Sequence, residues 1–464
     1  MSISDTFKND AEKIRKSGYF DADWYLKTYP DVGMMGMDPA EHYLKYGAAM
    51  RRDPGPHFST GFYIDTHPGV TRNNLHPLLH HMNRKGPNGQ PTPDYHYVLW
   101  ASFNLAKRHG AQKAAEFAEK FLPAELRYTT EILRANLAIE NERRDLWLSH
   151  INTYLANFGL SPVSLKVGDT SFLSRLFAES YPAGQDGPLI SVLMPAWNAE
   201  ETVQHAAKSI LAQSWSCIEL IIVDDASTDG TWDILQKLSE SDERVKILRN
   251  KKNVGPYVSK NIALKHSKGD FITGHDADDW AHPQRLENQV AEMRERQCAA
   301  SLTYMVRMQP NGFFGHIGKV TAFSLDGVAR KASISCMFER SFLVEKLGFW
   351  DSVRFGGDSE MIARAELLLG DAFVTLPQIS MICLDLETSL TNHPEHGVDK
   401  VRGVSPIRGD YRDSWAAWHQ DKMTPQNAYL DFPQKDRRYK AADEMVVSWQ
   451  NQMANLSNEL GESF

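Results

Sequence analysis

Between residues 189 and 273 short apolar runs alternate with helix-like stretches, a pattern that few folds accommodate. The runs are LISVLM, IELIIV, VKILR and DFIT. The stretches between them are helical in pattern over about Glu200–Gln213, Thr231–Ser239 and Tyr257–His266. Runs this short and this apolar suit strands buried on both faces, so the segment is predicted to form an α/β domain with a mainly parallel sheet. Ligands of such sheets bind beyond the carboxyl ends of the strands. Polar groups stand there: Pro195 to Asn198 after the first run, Asp224 and Asp225 after the second, and His275-Asp276-Ala277-Asp278-Asp279-Trp280 after the fourth.

The preceding chain reads differently. Phe20, Trp24, Tyr25, Pro30, Val32, Pro39 and His42 recur at one constant offset as Phe58, Phe62, Tyr63, Pro68, Val70, Pro77 and His80, and the units close near Gly47 and Gly86. Two such copies predict two small helical hairpins packed on each other. They form either a docking or glycan-binding module or a structural cap, and aromatic residues fill cores more often than they bind ligands. From about Tyr95 to Leu165 the apolar spacing is helical, and a Gly/Pro-rich stretch at Tyr181–Pro188 leads into the α/β region. The expected parts are a repeat module over 1–92, a helical domain over 93–180, the α/β domain over 187–400 and a helical extension over 401–464. The tail pattern AADEMVVSWQNQM suits packing back on the core or joining two protomers as a homo-oligomer.

A net charge of −8, with no long basic stripe, argues against a nucleic-acid partner. The four cysteines are far apart and form no Cys-x-x-Cys pair, which disfavours a disulfide framework or structural zinc. The first twenty residues lack a signal-peptide pattern and no window is long and apolar enough to span a bilayer, so a cytoplasmic protein is expected, at most peripheral to a membrane or an assembly complex.

Asp276 and Asp278, two apart on an extended loop, are able to face the same side. Mg²⁺ and Mn²⁺ take oxygen ligands, usually one or two carboxylates with substrate phosphate and water completing the shell. A calcium loop is rejected, because Trp280 and Ala281 stand where an EF-hand needs its third acid and glycine, and Gln236 closes the alternative loop begun at Asp225.

SVLMPAWNAEETV, IIVDDASTDGT, NVGPYVSKNIALKHSKGDFI, HDADDW and FWDSVRFGGDSEMIAR follow one another in the order seen in family 2 glycosyltransferases of the GT-A fold, which the chain resembles over about Pro188 to Leu390. Five linked motifs are more specific than any one of them. The sequence looks most like soluble bacterial transferases of capsule, exopolysaccharide or lipopolysaccharide assembly, and the N-terminal repeats resemble a module that accompanies such enzymes.

The resemblance implies that Pro195, Trp197 and Asn198 frame the nucleotide base and that Asp224 or Asp225 hydrogen-bonds base or ribose. It implies Lys260 on the diphosphate, Asp278 on the metal, and Asp276 shared between metal and ribose. His275 replaces a more common apolar residue, and a packed, hydrogen-bonded histidine is expected. Asp358 matches the catalytic base, with Glu360 in reserve; a plain helix-terminal carboxylate is the other reading of either. His393, or else His396, is expected to complete the metal shell. The implied reaction is inverting, Mn²⁺- or Mg²⁺-dependent transfer from a nucleoside diphosphate sugar, a UDP-sugar foremost, to a hydroxyl of a surface polysaccharide or lipid-linked glycan. The processive members' Gln-x-x-Arg-Trp motif is absent, so transfer of one or a few sugars is expected. Two rivals stay open: a noncatalytic glycan-binding scaffold with a decayed transferase domain, and a sugar nucleotidyltransferase.

Overall fold

A computed structural model of the chain describes residues 3–83, 95–168, 172–178, 187–386, 389–393, 395–399 and 403–456. Gly86, most of the Gly/Pro-rich stretch at 181–188, Thr388 and Pro394 lie outside the described residues. The chain divides into two compact units, Met1–His150 with Ile317–Val328, and Ile151–His316 with Ala329–Phe464. Among the described residues no helix is long and apolar enough to cross a membrane.

In the first unit the repeat recurs as structure. Asp21 caps helix Ala22–Thr28 by accepting from the Trp24 amide (2.9 Å), and Ser59 caps Thr60–Thr66 by accepting from Phe62 (3.4 Å). Tyr25 Oη meets His42 Nδ1 at 3.0 Å, and the equivalent Tyr63 Oη meets His80 Nδ1 at 2.8 Å. Each copy is three short helices rather than the predicted hairpin, because Pro30 and Pro68 each open a new helix immediately after the first. Tyr25, Val32, Tyr43, Phe58, Tyr63 and Val70 fill one shared core. Helices Tyr95–His109, Ala111–Phe121 and Thr130–Glu140 follow. The segment Ile317–Val328 joins this unit from far along the chain: Val320 N donates to His96 O (3.0 Å), and Tyr128 Oη donates to Asp326 (3.1 Å).

The second unit is built on eight strands: β1 (Ile190–Ala196), β2 (Ile218–Asp224), β3 (Val245–Arg249), β4 (Phe271–Gly274), β5 (Trp280–Ala281), β6 (Ala300–Met308), β7 (Arg330–Glu339) and β8 (Phe373–Leu384). Their order across the sheet is β3-β2-β1-β4-β7-β6-β8-β5. β3, β2, β1 and β4 are mutually parallel, as are β6 and β8, whereas β7 runs against both its neighbours. Its helices include α1 (Val203–Leu211), α2 (Thr231–Ser241), α3 (Gly255–His266), α4 (Arg285–Arg296), α5 (Gly357–Leu369) and α6 (Pro406–Asp421). The four runs and three helices read from the sequence occupy these places, with ends shifted by a few residues.

The alternation of β1 explains the layering. Ile190, Val192 and Met194 point into a core shared with α1, α2 and α4, and Leu193 into one shared with α3, α5 and α6. Each such side chain, taken fully out of water, contributes roughly 1.5–3 kcal/mol. The C-terminal segment corrects the helical expectation for AADEMVVSWQNQM: only Trp449–Leu456 is helix. Upstream, Arg354 N donates to Met445 O (2.8 Å) and Val447 N donates to Ser352 O (2.9 Å), so the backbone is spent on partners outside any helix.

Candidate active site

The loops after β1 and β2 hold each other in strained conformations. Asn198 (φ 47°) and Ala226 (φ 60°) both lie in the left-handed region, which side-chain-bearing residues seldom adopt. Asn198 N donates to Ser227 Oγ (2.9 Å), and Asn198 Oδ1 accepts from Thr228 N (2.9 Å). Trp197, between them and β1, is 58% exposed, a large ring left bare at a strand end, and Pro195 is partly buried.

Asp224 and Asp225 divide their work. Asp225 accepts from Asn250 Nδ2 (2.7 Å), Val254 N (2.9 Å) and Gly255 N (2.7 Å), which fixes the start of α3. Burial pushes its carboxyl above the usual range despite those donors. Asp224, also buried, accepts from Ser227 N (3.1 Å) and pairs with Arg249 Nε (3.0 Å), whose guanidinium is itself half-exposed.

His275 is fully buried. Arg285 Nη1 donates to its Nδ1 (3.2 Å), and Arg285 Nη2 donates to Thr273 Oγ1 (3.0 Å) and Gly274 O (2.7 Å). Burial, then the Arg285 charge, hold the imidazole neutral by pushing its pKa far down. It is a packed, hydrogen-bonded residue that ties the acidic loop to α4. Burial brings Arg285 down to about 10, still a cation.

Three aspartates follow. Burial raises Asp276, and burial with the Asp276 charge pushes Asp278 up to about 6. Asp279 is raised furthest by burial and both neighbours; it accepts from Leu384 N (3.0 Å), which stitches the loop to the end of β8. Asp276 and Asp278 remain partly exposed. Among the described residues no three His, Cys, Asp or Glu side chains gather closely enough to hold a metal ion. Asp276 and Asp278 lie close enough to repel each other, and a cation held by two carboxylates plus substrate phosphate and water, the habit of Mg²⁺ and Mn²⁺, would relieve that repulsion.

His393 is not gathered with them. Its Nδ1 accepts from the amides of Glu395 and His396 (both 3.2 Å), so the ring proton sits on Nε2 and leaves no lone pair there for a metal. His393 stacks on His396 (4.8 Å between centroids), which stacks on Phe355 (5.2 Å).

Asp358 stands in the first turn of α5. Gly356 (φ 83°) and Gly357 bring it there: a Cβ on Gly357 would lie 2.9 Å from the Tyr257 ring. Lys260 Nζ donates to both Asp358 oxygens (3.2 Å each), and Trp350 Nε1 donates to Oδ1 (2.9 Å). The ammonium is 2% exposed and lies 5.1 Å from the centre of the Tyr257 ring and 5.7 Å from that of Trp350. It is therefore committed to Asp358, not free to reach outward. Trp350 is locked in turn, for Asn261 Nδ2 donates to its carbonyl (2.8 Å) and its amide donates to Asn261 Oδ1 (2.9 Å). Glu360, by contrast, is fully buried and accepts from Arg364 (2.9 and 3.1 Å) and His419 Nε2 (3.0 Å).

The sequence reading passed over Trp350, Asn261 and Arg285. Trp350 lay inside a quoted motif and Asn261 beside Lys260, yet pairing between residues 89 apart leaves no local signal.

The description of Glycosyl transferase family 2 matches residues 191–343. The chain carries a family 2 glycosyltransferase domain. The mixed, mainly parallel sheet of the second unit is of the α/β class that the sequence predicts. TuaG of Bacillus subtilis (strain 168), named for teichuronic acid biosynthesis, is 41% identical over 125 residues, 27% of this chain and 50% of that protein. The UDP-Glc:alpha-D-GlcNAc-diphosphoundecaprenol beta-1,3-glucosyltransferase WfaP of Escherichia coli is 37% identical over 102 residues, 22% of this chain and 40% of that protein. The chain thus spans half or less of the length of either relative. Among solved structures, S. aureus TarS 1-349 in complex with UDP-GlcNAc aligns with 43% of this chain and 59% of that one at 20% identity, with a TM-score of 0.36.

Proposed function

We propose that this family 2 domain transfers a sugar, with inversion at the anomeric carbon, from a UDP-sugar to a hydroxyl of a bacterial surface polysaccharide or lipid-linked glycan. The observation that carries the reading is Asp358: a carboxylate with one side committed to Lys260 and Trp350 and 21% of its surface open. The charges of Lys260 and Asp358 both act on Asp276, which supports reading base and acidic loop as one site.

Asp358 takes the acceptor hydroxyl's proton as the new bond forms. Lys260 and Trp350 Nε1 hold its oxygens in place. Glu360 is a structural anchor in this reading, and Lys260 a positioning residue rather than a diphosphate ligand. Trp197, Pro195 and Asn198 border the nucleotide, with Asp224 rather than Asp225 turned to base or ribose, since Asp225 is consumed by the start of α3. Asp276 and Asp278 would hold Mn²⁺ or Mg²⁺, which when bound stabilises the departing diphosphate. The UDP-Glc donor and the diphosphoundecaprenol-linked acceptor for which WfaP is named support the UDP-linked donor and the lipid-linked acceptor class.

The test is donor turnover: purified protein with UDP-sugars and Mn²⁺, with and without lipid-linked acceptor. Release of UDP that depends on Mn²⁺ and disappears in Asp278→Ala supports the reading. Turnover of a nucleoside triphosphate with a sugar phosphate, or no turnover of any nucleotide sugar, would sink it.

A further inference from the structure

We infer that the first unit holds a second saccharide-binding pocket, separate from the transferase site and built where the second aromatic repeat meets helix Tyr95–His109. A cavity of about 280 Å³ opens there, lined by Arg51, Ser59, Phe62, Asp65, Trp100 and Asn104 among others. All of these residues belong to one compact unit. Nothing in the reaction described above uses them.

The lining has the two ingredients that a sugar ring asks for. A pyranose offers C–H faces, which an aromatic wall covers, and hydroxyls at its rim, which planar polar side chains meet two at a time. Trp100 and Phe62 supply the wall. The Phe62 ring is braced by Phe117, 3.9 Å between centroids, and the half-buried Trp100 indole by Lys319, whose Nζ stands 4.6 Å from the ring centre. Arg51, Asp65, Ser59 and Asn104 supply the polar rim. Asp65 is 8% exposed and pairs with Arg51, whose Nη2 also donates to Gly61 O (3.0 Å). Asn104 is anchored through Nδ2 to Trp100 O (2.9 Å).

Two further points favour a neutral sugar over other small ligands. Among the described lining residues the charges of Arg51 and Asp65 offset each other. The volume lies just below the range of roughly 300–1,000 Å³ typical of small-molecule sites, which suits one or two sugar residues. A pocket of this kind would retain a glycan near the protein between transfers, raising its local concentration without taking part in the chemistry.

The experiment uses the full chain and saturation-transfer NMR with cellobiose, lactose and N,N′-diacetylchitobiose at millimolar concentration, with inorganic phosphate as the charged probe. At least one disaccharide is expected to show saturable transfer that weakens about tenfold in Trp100→Leu and in Asn104→Ala and is unchanged in Asp358→Asn. Asn104→Ala is the gentler change and keeps the test valid should Trp100→Leu unfold; thermal unfolding checks both. No transfer from any disaccharide in the wild-type chain, transfer that survives both pocket variants, or phosphate outcompeting the sugars would each overturn the inference. A disaccharide signal lost only in Asp358→Asn would do so as well, since it would belong to the transferase site. Donor turnover is not measured, so failure here leaves the proposed reaction untouched.

Discussion

Asp358 and Lys260 make opposite predictions for two readings of one site. If Lys260 serves Asp358, Lys260→Met lowers kcat about tenfold or more and leaves the donor KM nearly unchanged; were it a diphosphate ligand, KM would rise instead. Steady-state kinetics over a UDP-sugar series separates them. Asp358→Asn is expected to lose about 10²–10⁴-fold in kcat while UDP affinity, measured by calorimetry, holds. His282 carries a pH prediction. Its Nε2–H donates to Ser161 O (3.1 Å) and its Nδ1 accepts from Gln284 N (3.3 Å), so it is neutral, and burial brings its pKa down to about 4 from 6.5. The unfolded chain binds the proton first, so the stability due to His282 is full above about pH 6.5 and is lost as pH falls toward 4, on the order of 3 kcal/mol. Urea unfolding at steps between those values checks this; His282→Asn should flatten the slope, and an unchanged slope would contradict it. At this scale the sequence exposed the acids that stand at strand ends, because their positions follow from strand polarity. It hid their division of labour: Asp224 against Asp225, or Asp358 against Glu360, is decided by partners brought from distant segments.

Elements show where one side chain holds two helices together. Glu360 and Arg364, both fully buried, bind within α5, while His419 reaches Glu360 from α6. Arg364 also donates to the carbonyls of Leu347 and Ala428. Glu360→Gln would strand a buried guanidinium, and the expected loss is about 3–5 kcal/mol, measured by denaturant unfolding, with any residual kcat per folded molecule little changed. A loss of kcat without loss of stability would make Glu360 catalytic after all. Strands and helices from 189 to 273 were legible because three of the four apolar runs are buried on both faces and need no partner to be recognised; the remaining run, β3, lies at the sheet edge and buries only Val245 fully. The C-terminal stretch misled for the opposite reason. Met445 and Val447 have helical spacing with their neighbours, but their backbone is claimed by Arg354 and Ser352, which lie about ninety residues earlier.

At the scale of the whole molecule the tail behaves as part of the core. Leu430, Phe432, Tyr439, Met445, Val447 and Leu456 are all buried, and Arg437 pairs with the buried Asp351. Ending the chain at Asp421 is therefore expected to abolish cooperative thermal unfolding of the second unit; a sharp transition near the full-length midpoint would show the tail to be dispensable. The repeats announced themselves in the sequence and recurred down to the Tyr–His hydrogen bond, since one aromatic–proline pattern poses the same packing problem twice. What no pattern announced is the excursion of Ile317–Val328 into the first unit. That excursion sets a schedule for synthesis. The first 150 residues leave the ribosome with one of their own segments still untranslated, about 170 residues behind, which at roughly 5–20 residues per second is a wait of about ten to thirty seconds. Through that interval His96 lacks Val320, Tyr97 and Trp100 lack the Lys319 ammonium that stands 4.7 and 4.6 Å from their ring centres, and Tyr128 lacks Asp326, so the helical unit is open to proteases and chaperones until that segment arrives.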